Sequence, residues 1–130
     1  VLSVKLNYLD SWIERRRALA SRYRDGLSGV ADLVLPIEKA GCKHVYHLFV
    51  LRTSVRDELQ ASLKDQGIST GIHYPTPLPH LKAYASHPQH REHFVASDLA
   101  PEILSLPMGD SIDLDQADRV IDAVREFFGY

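Results

Sequence analysis

A chain of 130 residues holds one domain with a modest core and is too short for two full ones. Its 15 basic and 17 acidic side chains leave a formal charge of −2, with 45% hydrophobic and 25% charged residues, so nothing in the composition attracts nucleic acid or an anionic membrane. Cys42 is the only cysteine, which excludes an internal disulfide and fits a reducing, cytoplasmic setting; there is no secretory signal pattern, and no apolar run nears the ~20 residues of a transmembrane helix.

Leu2, Leu6, Leu9, Ile13, Ala20, Tyr23 and Leu27 fall on one stripe of a long helix, interrupted only by Arg16. No Ser, Thr, Asp or Asn stands before its first apolar residues to cap it. The expectation is a helix whose beginning lies elsewhere, in a longer protein. Gly26 and Gly29 are its expected stop signals. Residues 1–28 read as a long linking helix and residues 29–130 as a small domain.

A short apolar run, Leu33 to Leu35, precedes Pro36 and the loop Lys39 to Lys43. His44 to Arg52 is dense in aromatic and branched residues and predicts a central strand. Ser54 and Asp57 resemble a helix cap, Val55, Leu59 and Leu63 line the helix that follows, and Gly67 ends it. Ile68 to Tyr74 predicts a second strand that runs into the proline-rich loop 75–79. Residues 80–92 are polar and histidine-rich, an expected exposed excursion. Phe94 to Leu99 predicts a short helix and Ile103 to Pro107 a third strand. Asp113 and Gln116 make a capping signal for a last helix lined by Leu114, Ala117, Val120, Ile121, Val124 and Phe127. The order predicts an α+β fold: a small, mainly antiparallel three-stranded sheet with helices packed on one face, preceded by the long helix.

The candidates for chemistry are few. His73 and Tyr74 end a strand and face a loop stiffened by Pro75 and Pro77. Imidazole and phenol there can hydrogen-bond phosphate or sugar hydroxyls. Neighbours on a strand point to opposite faces, so the alternative is that one of the two packs inward. His44 and His47, three apart on the expected strand, face opposite sides and cannot share a metal ion. His87, His90 and His93 lie in a polar setting with Pro88 and have no cysteine nearby, which is a poor basis for a metal site. Arg15, Arg16 and Arg17 spread around a helix and read as a solvated or domain-contact face, with Asp10 and Glu14 as nearby acids. No carboxylate pair, nucleophile triad or glycine-rich phosphate loop is present.

Four stretches together resemble the DegT, DnrJ, EryC1 and StrS group of sugar aminotransferases: Lys5 to Arg17, His44 to Val50, Gly71-Ile72-His73-Tyr74-Pro75-Thr76-Pro77-Leu78 with Ala83-Tyr84, and Leu104-Ser105-Leu106-Pro107-Met108. The resemblance implies the C-terminal, small-domain part of a fold-type-I aminotransferase, usually a homodimer. It implies amino transfer, commonly from glutamate, to a keto-sugar on a nucleotide, with PLP as cofactor of the complete enzyme. It places His73 and Tyr74 at the substrate rim. The sequence departs from the family at Pro79-His80, where Pro79 stands in the usual histidine position. The Schiff-base lysine belongs to the preceding domain, and none of Lys5, Lys39, Lys43, Lys64 or Lys82 matches its context. No catalytic, cofactor-binding or metal residue is therefore expected in this chain. The expected partners are a nucleotide-sugar, the PLP domain and a second copy that covers the apolar stripe. The alternative is a free-standing binding or oligomerisation module derived from such a domain.

Overall fold

The computed structural model describes residues 1–130. The expected long helix is two: α1, Leu2–Leu6, and α2, Leu9–Leu27. The junction is local chemistry. Asn7 N–H bonds Val4 O at 3.3 Å and Tyr8 N–H bonds Lys5 O at 3.0 Å, so the spacing tightens to i→i−3 where Asn, a weak helix former, sits. Nothing packs over α1 to hold it straight, since all its residues are exposed.

The second half of α2 is different. Leu19, Ala20, Tyr23 and Leu27 are buried and join one core with Ala117, Val120, Ile121 and Val124 of α5, Leu114–Phe127. Gly26, expected as a stop signal, lies inside α2; a Cβ there would stand 2.6 Å from Ile121 Cδ1, so glycine allows the two helices to approach. Gly29 takes the left-handed conformation (φ 77°) just past the helix end, the position a C-terminal glycine stop requires. Arg22 clamps the same pair of helices, with Nε 2.5 Å from Asp118 Oδ1 and Nη2 2.7 Å from Oδ2.

The sheet is smaller than expected. Strand β1, Phe49–Arg52, pairs antiparallel with β2, Ile103–Leu106, with Phe49 opposite Leu106 and Arg52 opposite Ile103. Phe49, Leu51, Leu104 and Leu106 are core residues, joined by Leu59 and Leu63 of α3, Arg56–Asp65. The α+β architecture with a small antiparallel sheet is as expected, but it has two strands, not three.

Single bridges flank the pair on both sides, Val34 to Arg52 and Gly71 to Ser105. The strand expected at Ile68–Tyr74 is only the Gly71 bridge. Ile68 N–H is taken by Leu63 O at 2.8 Å as the end of α3 closes, and Pro75 and Pro77 beyond have no N–H to give. The strand expected from His44 starts only at Phe49, because Tyr46 is left-handed (φ 46°) and its N–H goes to His44 Nδ1 at 2.8 Å.

The caps divide likewise. Asp113 and Gln116 form the expected capping box on α5. Ser54 does not cap α3. Its hydroxyl and N–H, with the Thr53 hydroxyl, donate to Asp32 Oδ2 at 2.9, 3.2 and 2.7 Å. The Thr53 bond, then those from Ser54, hold the Asp32 carboxyl below its ordinary range.

Candidate functional site

Gly71 and Ser105 exchange both backbone hydrogen bonds, at 3.0 and 2.7 Å, and fix the chain just before His73. The His73 ring folds back over Gly71, where a Cβ would stand 2.6 Å from Cε1. Its Nδ1 lies 2.9 Å from Ser105 Oγ, and Ser105 is buried. Tyr74, joined to it by a cis peptide bond, is 72% exposed. The two rings meet edge to face, with centroids 5.6 Å apart. Neither side chain packs into the core. His73 is anchored at one ring nitrogen, and Tyr74 stands free beside it.

Both border an open cleft of about 770 Å³ whose walls include Pro77, Leu81, Leu99 and Ile103. It runs between the proline-rich loop and α4, Val95–Leu99. A mostly apolar cleft with a few polar groups at its edge is the usual form of a small-molecule site.

The histidines of the polar excursion tie that wall together. His80 Nε2 lies 2.9 Å from Glu92 O, and His90 Nδ1 lies 2.9 Å from Pro79 O. A carbonyl only accepts, so His80 carries a proton on Nε2 and His90 on Nδ1. His93 Nε2 lies 3.0 Å from Asp98 Oδ2. Three short 3-10 turns, Leu78–His80, Lys82–Tyr84 and Pro88–Arg91, fill the excursion. Sequence reasoning missed this stapling role, because the partners of His80 and His90 are backbone carbonyls that leave no trace in residue spacing.

The other candidates are structural. His44 and His47 lie in a loop, not on a strand. Arg17 Nη1 reaches Glu38 Oε1 at 2.9 Å and His44 O at 2.6 Å, binding α2 to that loop. The Arg17 bond, then the His44 N–H, hold the Glu38 carboxyl below its usual value. Arg16 approaches the His47 ring and carbonyl, each at 3.4 Å. Glu14 pairs not with the arginines but with Lys43, at 2.7 Å. No three His, Cys, Asp or Glu side chains converge as metal ligands, and no helix is long and apolar enough to cross a membrane.

PLP, the cofactor implied by the resemblance, requires a lysine poised at the substrate cleft. Lys5, Lys39, Lys43, Lys64 and Lys82 are all exposed, and none lines the cleft at His73. The residues of this chain do not fit the cofactor.

A family model described as the DegT/DnrJ/EryC1/StrS aminotransferase family matches residues 1–125. The chain is 44% identical over 128 residues to the dTDP-3-amino-3,4,6-trideoxy-alpha-D-glucose transaminase of Streptomyces venezuelae, covering 98% of this chain and 34% of that protein. It is 37% identical over 131 residues to the dTDP-3-amino-3,6-dideoxy-alpha-D-galactopyranose transaminase of Aneurinibacillus thermoaerophilus, covering 100% of this chain and 35% of that one. Among solved structures, S. venezuelae DesV in complex with a ketimine intermediate superimposes with a TM-score of 0.93 at 41% identity, over 100% of this chain and 35% of that one. An aminotransferase from Brucella abortus gives 0.87 at 32% identity, again over 100% and 35%. The chain thus spans about a third of the length of the curated relatives it matches.

Proposed function

We propose a function for a chain that belongs, over residues 1–125, to the DegT/DnrJ/EryC1/StrS aminotransferase family: it is the C-terminal, substrate-rim part of a nucleotide-sugar aminotransferase. The complete enzyme moves an amino group from glutamate to C3 of a keto-sugar carried on dTDP. The choice of C3 and dTDP rests on the two transaminases whose names carry a 3-amino sugar on dTDP, at 44% and 37% identity. The observation that carries the reading is the TM-score of 0.93 over the whole chain to an aminotransferase solved with a reaction intermediate.

In this reading residues 1–28 link to the domain that holds PLP, which lies outside residues 1–130, and residues 29–130 form the small domain. PLP supplies the electron sink for moving the amine. His73 and Tyr74 contribute the polar edge that meets the nucleotide-sugar, and the apolar wall of the cleft excludes water there. The setting is cytoplasmic, where such sugars and glutamate occur together.

The exposed apolar residues Val1, Leu2, Val4, Leu6 and Leu9 supply the partner surface, covered by the PLP domain or a second copy. They also favour the second reading, a free-standing module that self-associates through α1. The two are separated with full-length protein containing residues 1–130, PLP, glutamate and a dTDP-3-keto-6-deoxyhexose. The proposal expects 2-oxoglutarate and aminated sugar from the full-length protein and none from residues 1–130 alone. A lysine–PLP absorbance band at full stoichiometry in residues 1–130 alone, or no turnover by the full-length protein, overturns it.

A further inference from the structure

We infer that Ser105 is a positioning residue: it fixes the tautomer and aim of His73, so that the imidazole presents an Nε2–H donor to a substrate oxygen at the cleft. The inference rests on the proposed substrate site at His73 and adds the residue behind it.

The argument is one of hydrogen-bond accounting. Ser105 is 3% exposed, in the middle of β2. Its backbone N–H and C=O are both occupied by Gly71, at 2.7 and 3.0 Å. Its hydroxyl has one partner, His73 Nδ1, at 2.9 Å. A buried O–H with no acceptor is costly, so the hydroxyl donates and Nδ1 accepts. In a neutral imidazole the proton then sits on Nε2, the nitrogen left without a protein partner. The reverse arrangement, with Nδ1 donating to Oγ, leaves the serine proton with no acceptor inside the sheet.

Gly71 completes the seat. Any larger residue there puts a Cβ 2.6 Å from Cε1 of the ring, so the ring reaches Ser105 only across a glycine. The result is a donor of fixed direction, suited to a phosphoryl or carbonyl oxygen and unsuited to a cation. A serine hidden in a strand that also carries Leu104 and Leu106 gives no sign of this role in its own spacing.

The test has two arms. The first is 15N NMR of histidine-labelled protein near pH 8, with His73 assigned by the His73→Asn variant. The inference expects the Nε2–H tautomer for His73 in the parent protein, a mixture of tautomers in Ser105→Ala, and restoration in Ser105→Thr. An Nδ1–H tautomer in the parent, or a spectrum unchanged by Ser105→Ala, overturns it. The second arm is the full-length enzyme, where Ser105→Ala is expected to raise KM for the nucleotide-sugar about three- to tenfold with kcat nearly unchanged. The NMR arm decides the role of Ser105 by itself. The expected tautomer with an unchanged KM would sink the substrate contact at His73 and leave the positioning role standing.

Discussion

The imidazole of His73 occupies the space that a side chain on Gly71 would need: a Cβ on Gly71 would stand 2.6 Å from its Cε1. Gly71 is therefore a glycine for room, and its φ is not in the left-handed region. Gly71→Ala is expected to lower the thermal midpoint, because displacing the ring leaves the buried Ser105 hydroxyl without its acceptor. It is also expected to push His73 off Ser105 and raise KM for the nucleotide-sugar. A variant with full substrate affinity and an undisturbed His73 spectrum would show that the Cβ is accommodated without displacing the ring.

Gly26 gives a sharper sign test. By intrinsic propensity, Gly→Ala within a helix stabilises by up to about 1 kcal/mol. Here the new Cβ would meet Ile121 at 2.6 and 2.8 Å inside the α2–α5 contact, so overpacking by about 1–3 kcal/mol wins. Urea unfolding of Gly26→Ala should give a lower midpoint than the parent. A higher midpoint would mean that the helices separate freely.

The capping box on α5 is the local feature whose energetics follow most directly from sequence. Asp113→Ala removes the acceptor for Gln116 N–H, at 2.8 Å, and should cost about 0.5–2 kcal/mol. Asp113→Asn should recover most of that loss in the same melt. Equal losses for the two variants would place the effect in charge rather than in the cap.

Acid should destabilise the chain through four named carboxylates. The bond from Lys43 holds Glu14 low, Arg17 holds Glu38, Arg22 holds Asp118, and Thr53 followed by Ser54 holds Asp32. A group whose folded pKa is depressed contributes stability above its unfolded value, and loses it as pH falls through the folded value. With ordinary values of 3.8 for Asp32 and Asp118 and 4.5 for Glu14 and Glu38, the urea midpoint should drop as pH falls below about 4.5. Asp32→Asn should make that drop shallower. A midpoint that rises on acidification contradicts the assignment.

Some of this was legible in the sequence and some was not, for physical reasons. The α5 stripe and its cap were readable because both are local patterns with a period. The GIHYPTPL segment stood out as a candidate site because its prolines restrict the backbone beside two adjacent polar aromatics. The strand expected at 68–74 is shorter in the structure because Ile68 N–H goes to Leu63 O at the end of α3 and Pro75 and Pro77 beyond it have no N–H, and pattern alone does not show the first. Arg17, Asp32, His80 and His90 act on groups from 11 to 27 residues away in the chain, beyond any periodic signal. Ser105 stands out in the sequence only as one residue of the Leu104–Met108 stretch, and its tie to His73 spans 32 residues.

The isolated chain exposes Leu2 and Leu6 at 77% and 63%, an apolar stripe that favours association. Residues 1–130 should sediment as an oligomer, and Leu2→Glu with Leu6→Glu should shift them toward monomer. A monodisperse parent monomer would remove α1 as an association surface.

The most direct test of the account is the pair of half-reactions of the full-length enzyme carrying His73→Ala. The glutamate half-reaction should run at the parent rate, because the proposed function assigns His73 to the nucleotide-sugar edge. The keto-sugar half-reaction should lose about tenfold in kcat/KM, carried by KM, the size expected for one hydrogen bond to a charged oxygen. Unchanged kcat/KM for the sugar, or equal losses in both halves, would contradict the placement of His73 at the substrate rim.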